Sequence, residues 1–293
     1  MENIIIISDS GGSKTDWSII SSAPMKNYMI TTSGINPSIQ ADSQIEDVIK
    51  KLDNEVKRRD IITDSSNVKL YFFGSGCNSE ETKCRLKNLI SNVMSFSFEK
   101  LEFNSDLEGA AKALFGDEEG IACILGTGSA SGFYNGSKVV NSIPSLGFIL
   151  GDEGSGAAMG KDLLNSYFKH TLPYSVNEKL AAFSDMGLTN VIRKVYRDKN
   201  PNKYLASFVP FLKQNEEDSR ISEIIDSNIK LFFNKNVLKY KDNFACRDLG
   251  LVGGVATVFS ERIKNIATFY GYNIKYILDR PINLLSEYYE RFL

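Results

Sequence analysis

One order of elements occurs twice in this chain: a strand, a turn rich in glycine and hydroxyl residues, a strand, a turn and a strand. The first copy opens with the apolar run Asn3 to Ser8, which is typical of a buried central strand. Its turn is Asp9 to Asp16. The second copy opens with Gly120 to Leu125, and its turn is Gly126 to Ser129. We interpret the repetition as an internal duplication of architecture, and two such turns facing each other across a cleft would bind a polyphosphate from both sides.

The first turn carries the residue types that bind phosphate. Two glycines allow a ligand to approach the backbone, and Ser13 and Thr15 add hydroxyl groups. Lys14 adds a positive charge, and Asp9 adds a carboxylate that could hold a hydrated magnesium ion. Taken alone, the segment is more often an ordinary polar turn, because short glycine motifs are common.

Asp106 lies just past the C-terminal end of a predicted strand, Phe98 to Phe103, and begins a predicted helix, Asp106 to Leu114. The carboxyl ends of strands are where ligands collect in open α/β sheets, so Asp106 could be a general base. On this segment alone the favoured interpretation is a helix-capping aspartate.

The remaining patterns complete an α/β chain with few interruptions. Predicted helices are Asp42 to Arg59, Glu80 to Met94, Ala157 to Phe168 and Asn283 to Phe292, and residues 171 to 247 are largely helical with Pro201, Pro210 and Gln214 to Arg220 as connectors. Predicted strands are Val68 to Phe73, Ala130 to Tyr134, Ser137 to Val140, Asp248 to Val252 and Asn273 to Ile277. Gly253 and Gly254 precede a helix to Phe269, an arrangement that lets a base or ribose lie against the backbone.

Composition excludes several functional classes. A net charge of −2 over 293 residues argues against a nucleic-acid surface. The four cysteines form no CxxC pair and no zinc spacing, and the single histidine, His170, makes a histidine-based metal site or a Ser-His-Asp triad an unattractive hypothesis. The N-terminus lacks the pattern of a secretory signal, and no apolar run approaches twenty residues, so we expect no membrane span and a cytoplasmic location.

Taken together, the ordered motifs resemble the N-acetylglucosamine kinase family. The resemblance rests on Asp9-x-Gly-Gly-x-Lys-Thr-Asp, Asp106 after a strand, Gly126-Thr-Gly-Ser, Leu150-Gly-Asp-Glu-Gly-Ser-Gly and Val252-Gly-Gly-Val. That family shares its fold with the actin, hexokinase and Hsp70 ATPases and resembles the ATPases that activate 2-hydroxyacyl-CoA dehydratases. The resemblance implies an α/β fold of two ribonuclease H-like domains, residues 1–116 and 117–282, with a nucleotide cleft between them. The closing helix, 283–293, would join the first domain.

The resemblance also implies a role for individual residues. Asp106 would be the catalytic base of an ATP-dependent sugar kinase, and Asp9 would face a Mg²⁺ ion held through water. ATP would contact Asp9, Gly11, Gly12, Ser13, Lys14, Thr15, Gly126, Thr127, Gly128, Gly253 and Gly254. The sugar would contact Asn36, Asp106, Ser129, Ala130, Ser145, Leu146, Gly147 and Asp152.

One position departs from the family pattern. The family usually has Gly-Gly-Trp-Gly ahead of Gly-Asp-Glu-Gly, whereas this chain has Pro144-Ser145-Leu146-Gly147, so Leu146 stands where tryptophan is expected. The resemblance favours N-acetylglucosamine and its 6-phosphate, but glucosamine, N-acetylmannosamine and an anhydro sugar stay open. It further implies a homodimer.

Two other functions remain as alternatives. The first is an ATPase activator or switch of the dehydratase-activator type, without a sugar substrate. Such activators share an iron-sulfur cluster through cysteines, and this chain has no convincing cysteine pair for it. The second is a non-catalytic sugar sensor, which would have less need of Asp9, Lys14 and Asp106.

Overall fold

The computed structural model describes residues 2–22, 24–63 and 65–293. The chain divides into two compact units. The first contains residues up to Glu118 together with Gly136–Val139 and Arg280–Leu293. The second contains Glu119–Asn135 and Val140–Asp279.

Strands and helices alternate through most of the chain. The strands are β1 Asn3–Ser10, β2 Lys14–Ser22, β3 Met25–Ser33, β4 Asn67–Gly74, β5 Lys100–Ser105, β6 Glu119–Leu125, β7 Ser129–Asn135, β8 Val139–Ile143, β9 Asp248–Val252 and β10 Asn273–Leu278. The helices are α1 Asp42–Arg58, α2 Glu80–Val93, α3 Asp106–Phe115, α4 Gly147–Leu150, α5 Gly156–Phe168, α6 Tyr174–Phe183, α7 Leu188–Tyr196, α8 Pro201–Ala206, α9 Val209–Gln214, α10 Ser219–Lys235, α11 Gly254–Val258, α12 Ser260–Phe269 and α13 Ile282–Glu290, with a 3-10 helix at Val237–Tyr240.

The first unit is built on a five-stranded sheet in the order β3-β2-β1-β4-β5. β1 pairs antiparallel with β2 and parallel with β4, and β4 pairs parallel with β5. In the register of the parallel strands, Ser10 pairs with Gly74 and Gly74 pairs with Ser105. The carboxyl ends of three neighbouring strands therefore meet at one edge of the sheet.

The central strand β1 has four consecutive isoleucines, Ile4 to Ile7, because both of its faces are covered. Ile4 and Ile6 belong to a core with α1 and α2 on one face, and Ile5 and Ile7 belong to a second core with α13 on the other. Complete burial of an isoleucine side chain contributes about 1.5–3 kcal/mol. This burial fixes β1 and hence the turn that follows it.

The second unit repeats the sheet of the first. Its five strands have the order β8-β7-β6-β9-β10, with β6 antiparallel to β7 and parallel to β9. When the strands are counted along the chain from β1 in the first unit and from β6 in the second, the two sheets have the same strand order. The predicted duplication of architecture is confirmed.

The helical segment between β8 and β9 is confirmed, with local differences from the prediction. Pro201 and Pro210 do not lie in connectors: they stand in the first turns of α8 and α9, where a missing N–H costs nothing. The helix predicted to end at Phe269 is interrupted at Phe259 and forms α11 and α12. The strand predicted at Ser137 to Val140 begins later, at Val139.

Membrane insertion receives no support from the helices. In the part of the chain that the structure describes, none of them combines the length and apolar character needed to cross a bilayer.

Candidate active site

Three aspartates lie near the carboxyl ends of the strands of the first unit. Asp9 is the penultimate residue of β1, and Asp106 is the first residue of α3, immediately after β5. Asp16 in β2 is directly opposite Asp9 in the antiparallel register. The fold thus concentrates negative charge at the sheet edge where the first predicted phosphate turn begins.

Both carboxylate oxygens of Asp106 accept a hydrogen bond. The Ser75 hydroxyl donates to Oδ2 at 2.5 Å, and the Leu107 N–H donates to Oδ1 at 2.9 Å. Burial raises the pKa of Asp106 above its usual value, while these two hydrogen bonds act in the opposite direction. The carboxyl group is therefore both fixed in place and made more basic than a solvated aspartate.

Asp106 is not the cap of its helix, contrary to the interpretation favoured on this segment alone. Ser105 occupies that position, and its hydroxyl accepts a hydrogen bond from the Glu108 N–H at 3.1 Å. Because a serine performs the capping, the carboxylate of Asp106 is left for another role.

The acidity of Asp9 is strongly perturbed as well. Burial, followed by the negative charges of Asp106 and Asp16, raises its pKa to about 7, although Lys14 acts against the shift. A carboxylate in such surroundings is stabilised in its charged form by a cation, which is the condition that a magnesium ion would meet.

Asp16 is buried, and its carboxylate lies among hydrogen-bond donors and cationic side chains. It accepts hydrogen bonds from Lys14 Nζ at 2.8 Å and Thr31 Oγ1 at 2.8 Å, and Arg280 Nε lies 4.0 Å from its Oδ2. Burial alone would raise the pKa of Asp16, but Lys14, Thr31 and Arg280 together lower it below its usual value. Asp16 is therefore ionised and holds two cationic side chains beside the first turn.

Ser10, which is buried, supports the first turn from the protein interior. Its hydroxyl bonds to Thr15 Oγ1 at 2.7 Å and to both backbone groups of Ile35 at 3.1 Å. Thr15 is completely buried, and its hydroxyl also donates to the Ser33 carbonyl at 3.2 Å. The Thr15 side chain therefore supports the turn from inside the protein, and the contact between Thr15 and ATP stays a prediction.

Glycines in the first unit divide into two kinds. A Cβ on Gly34 would lie 2.2 Å from the Gly11 carbonyl oxygen, so packing requires glycine there. A Cβ on Gly12 would meet nothing within 4 Å, and Gly12 does not have a positive φ. The fold does not require glycine at position 12, whereas a ligand that approaches this exposed backbone would.

Asn36 lies on the neighbouring loop with its amide oxygen engaged locally. The Ser38 N–H donates to Asn36 Oδ1 at 3.0 Å. Gly76, which has a φ of 82°, is so close that a Cβ there would lie 2.1 Å from the same oxygen. The loop at Asn36 therefore packs on the turn that follows β4, next to Ser75.

In the second unit, the turn Gly126 to Ser129 is fastened to the start of α5. The Gly156 N–H donates to the Gly126 carbonyl at 2.8 Å, and the Ala157 N–H donates to the Thr127 carbonyl at 3.2 Å. Gly126 itself has no atom within 4 Å of a notional Cβ. The fold therefore does not require glycine at position 126 either.

Asp152 joins this turn to the segment before α4. Its Oδ1 accepts hydrogen bonds from the Ser129 N–H at 3.3 Å and from Ser145 Oγ at 3.2 Å. Burial raises its pKa, while these donors oppose the shift. In the described part of the chain no hydrogen bond to its Oδ2 is seen, so that oxygen can accept one from a ligand. Half-buried Ala130 follows Ser129 in β7.

Leu146 and Gly147 lie where α4 begins, on an apolar surface. Gly147 has a φ of 72°, which glycine adopts without strain. Leu146 is 58% exposed, and Ile149 and Leu150 are exposed as well. The departure from the family pattern at Leu146 therefore places a leucine on an open surface next to Ser145.

Gly253 and Gly254 lie against the second turn. Gly253 has a φ of 112°, and a Cβ there would lie 2.5 Å from the Leu125 carbonyl oxygen. The adjacent Gly254 is exposed and has no atom within 4 Å of a notional Cβ. Packing explains the first glycine, and only the second leaves backbone open for a ligand.

The sequence patterns missed three residues that the fold brings into the first unit's site. Ser75 contacts Asp106, Gly76 contacts Asn36, and Asp16 holds Lys14. A strand ending at Gly74-Ser75-Gly76 was the available signal for the first two. Within the described ranges, no group of three or more His, Cys, Asp or Glu side chains is arranged to hold a metal ion, so any magnesium here would rely on Asp9, water and phosphate oxygens.

Comparison with known proteins identifies similar structures. No family model and no curated protein sequence matches the chain. A candidate N-acetylglucosamine kinase from Porphyromonas gingivalis is 31% identical with a TM-score of 0.89, covering 98% of this chain and 99% of that one. A second candidate N-acetylglucosamine kinase, from Chromobacterium violaceum, is 14% identical with a TM-score of 0.76 and 98% coverage of both chains.

A more distant similarity supports the fold alone. A ROK family glucokinase from Streptomyces griseus, in complex with glucose and AMPPNP, is 14% identical with a TM-score of 0.52. The match covers 95% of this chain and 93% of that one. The two-unit α/β architecture is thus that of the actin and hexokinase ATPases.

Proposed function

This chain belongs to the N-acetylglucosamine kinase family, and from that premise we propose that it phosphorylates N-acetylglucosamine on its 6-hydroxyl, with Asp106 as the general base. As a member of this family it is an ATP-dependent sugar kinase. The observation that carries the proposal is the Asp106 carboxylate. It is fixed by Ser75 and Leu107, has a raised pKa, and lies at the sheet edge that also carries the first phosphate turn.

The proposed reaction needs mainly alignment and charge neutralisation. Asp106 accepts the proton of the sugar hydroxyl while that oxygen forms a bond to the γ-phosphorus. The bond between the γ-phosphorus and the bridging oxygen breaks, and ADP leaves with that oxygen. A base held by two donors cannot rotate away from the hydroxyl, which supports this role for Asp106.

The first turn is proposed to bind the phosphates of ATP. Gly12 and Ser13 offer backbone N–H groups on an exposed part of the turn, while the Gly11 N–H closes the turn by donating to the Lys14 carbonyl at 3.0 Å. Lys14 offers a positive charge that Asp16 holds in position. A magnesium ion bound near Asp9 would neutralise phosphate charge. The raised pKa of Asp9 fits this, because a cation relieves the repulsion from Asp106 and Asp16.

The second unit is proposed to supply further contacts. Gly126, Thr127 and Gly128 would bind phosphate, and the exposed backbone of Gly254, together with the adjoining Gly253, would lie against the adenosine. On the sugar side we propose contacts from Asn36 and Asp106, together with the set Ser129, Ala130, Ser145, Leu146, Gly147 and Asp152. The unengaged Oδ2 of Asp152 supports its place in this set. The homodimer rests on the family resemblance alone, and the cytoplasmic location stays an expectation from the sequence.

The activator alternative has less support from the cysteines. Cys77 and Cys123 are buried, and burial raises the pKa of Cys77 to about 12, which disfavours the thiolate that an iron-sulfur cluster requires. Cys84 is exposed. These environments do not suggest a pair of cluster ligands.

Replacement of the base tests the proposal. We expect Asp106→Asn to bind ATP as the wild type does but to lose phosphoryl transfer, with kcat reduced by about 10²–10⁴-fold. Nucleotide titration and a sugar-phosphorylation assay measure the two properties separately. Asp53→Asn, at a buried aspartate away from the turn, is the control. Turnover of Asp106→Asn close to that of the wild type would refute the assignment.

A further inference from the structure

We propose that Ser75 is a positioning residue for phosphoryl transfer, acting by holding the Asp106 carboxylate in the orientation from which it takes the proton. The inference rests on the proposed function and assigns to Ser75 a role that the motifs do not indicate. Its basis is the hydrogen bond from the Ser75 hydroxyl to Asp106 Oδ2, 2.5 Å long and spanning 31 residues of sequence.

Ser75 lies at a junction of the site. Its N–H donates to the Ser10 carbonyl at 2.9 Å, which ties it to the strand that leads into the first turn. Its hydroxyl donates to Asp106, at the start of the neighbouring α3. One residue thus joins the end of β1 to the residue after β5, so a displacement of either strand end is transmitted to the base.

The backbone on both sides of Ser75 is constrained. A Cβ on Gly74 would lie 2.5 Å from the Phe72 ring and 3.1 Å from Ser10 Cβ. Gly76 has a φ of 82° and packs on Asn36 Oδ1. A turn fixed at both of its flanking residues gives the Ser75 hydroxyl a defined direction, which a positioning role requires.

The turn itself does not need the hydroxyl. Backbone hydrogen bonds close it, from Ser75 N–H to the Ser10 carbonyl and from Cys77 N–H to the Gly74 carbonyl at 3.2 Å. Loss of the hydroxyl should therefore leave the fold intact and free Asp106 Oδ2. Among the described donors from other residues, the Leu107 N–H would then remain, and it fixes only Oδ1.

Ser75→Ala tests the inference, with Ser79→Ala as the matched control. Ser79 lies four residues further on and caps α2 by accepting from the Thr82 N–H at 3.2 Å. We expect Ser75→Ala to lower kcat by about 10–100-fold, the range typical of residues that orient a reacting group. The KM for ATP and the unfolding temperature should stay at wild-type values. Ser79→Ala should keep kcat.

Two further variants distinguish positioning from a structural role. Ser75→Thr retains a hydroxyl and should recover most of kcat. In an Asp106→Asn background, measured by single-turnover transfer from labelled ATP, Ser75→Ala should cause no further loss, because the group it orients is absent. Full kcat in Ser75→Ala, or an equal further loss in the double variant, would overturn the inference.

Failure of the proposed function would appear differently. In that case the wild type would transfer no phosphate to any sugar, and the inference would fall with it. An active wild type with an equally active Ser75→Ala would refute only the role of Ser75.

Discussion

The charges of individual side chains in the first unit's site would favour the binding of a cation. Asp9 and Asp16 face each other across two antiparallel strands, and Asp106 adds a third carboxylate whose charge reaches Asp9. Among the ion pairs seen in the described residues, Asp16 is the one of the three that takes part, with Lys14 at 2.8 Å. A nucleotide with magnesium would bring positive charge to Asp9 and negative charge to Lys14. Substrate binding would therefore compensate side-chain charges of both signs in the site.

Asp16→Asn should weaken ATP binding. The neutral amide no longer attracts Lys14, and the lysine, already 44% exposed, then samples solvent. Because that exposure weakens the pair, we expect a rise in the KM for ATP of about three- to tenfold, equivalent to roughly 0.7–1.4 kcal/mol, with a smaller effect on the KM for sugar. Steady-state kinetics measures both constants.

Asp53→Asn provides the comparison for this variant. Asp53 is also buried and paired with a lysine, Lys57, at 2.7 Å, but it lies on α1. Its replacement should lower stability and leave the KM for ATP unchanged. Equal effects of the two substitutions on that KM would contradict the role given to Asp16.

Among the elements, the two glycine-containing turns, after β1 and after β6, carry the backbone groups that could bind phosphate. The first turn follows a strand buried on both faces and is fixed from below by Ser10. The second is fastened to the N-terminus of α5. Both have at least one glycine with open space where a side chain would be, Gly12 and Gly126. Rigid support combined with an open backbone is what phosphate recognition by main-chain N–H groups requires.

Two alanine substitutions separate support from recognition in the first turn. Gly12→Ala meets no neighbouring atom, so it should preserve the unfolding temperature and raise the KM for ATP. Gly34→Ala would clash with the Gly11 carbonyl oxygen and should destabilise the protein by about 1–3 kcal/mol or more. Thermal unfolding and kinetics on both variants measure these effects. A Gly12→Ala enzyme with unchanged KM would indicate that phosphate does not approach this backbone.

Local patterns predicted the elements better than the contacts between them. Apolar runs such as Ile4 to Ile7 identified the buried strands, and the repeated turn predicted the repeated sheet. The hydroxyl of Ser75 reaches Asp106 only because β4 and β5 are parallel neighbours. No local pattern contains that information, and the same holds for the burial of Thr15, which depends on Ser10 and Ser33.

Helix boundaries were missed where two local signals compete. Pro201 and Pro210 break helices in their interiors but favour the first turn, so the pattern alone did not distinguish a connector from a helix start. Asp106 and Ser105 are both good capping residues, and the backbone geometry selected the serine.

At the scale of the whole molecule, the raised pKa of Asp9 makes stability depend on pH. In the folded protein the carboxyl group of Asp9 has a pKa of about 7, against an ordinary value of 3.8. The folded state therefore binds more protons than the unfolded state between these values, and this group's contribution to stability falls as pH rises through that window.

Asp9→Asn should remove this dependence in the metal-free protein. We expect a higher unfolding temperature than the wild type at about pH 8 and a much smaller difference at about pH 4, with loss of kinase activity at both. Asp53→Asn should show the opposite sign, because its ionised form is stabilised by Lys57 and Ser95 and its pKa is lowered. Equal shifts for Asp9→Asn at both pH values would contradict the raised pKa.

Sugar-dependent ADP release is the most direct measurement of what the whole molecule does. ADP would be followed from magnesium-ATP alone and with N-acetylglucosamine, glucosamine, N-acetylmannosamine, an anhydro sugar and plain hexoses, and the phosphorylated position would be identified in the product. We predict that N-acetylglucosamine accelerates release most, that chelation of magnesium abolishes it, and that the phosphate is recovered on the 6-hydroxyl. Slow release that none of these sugars accelerates would contradict the account and favour an ATPase switch.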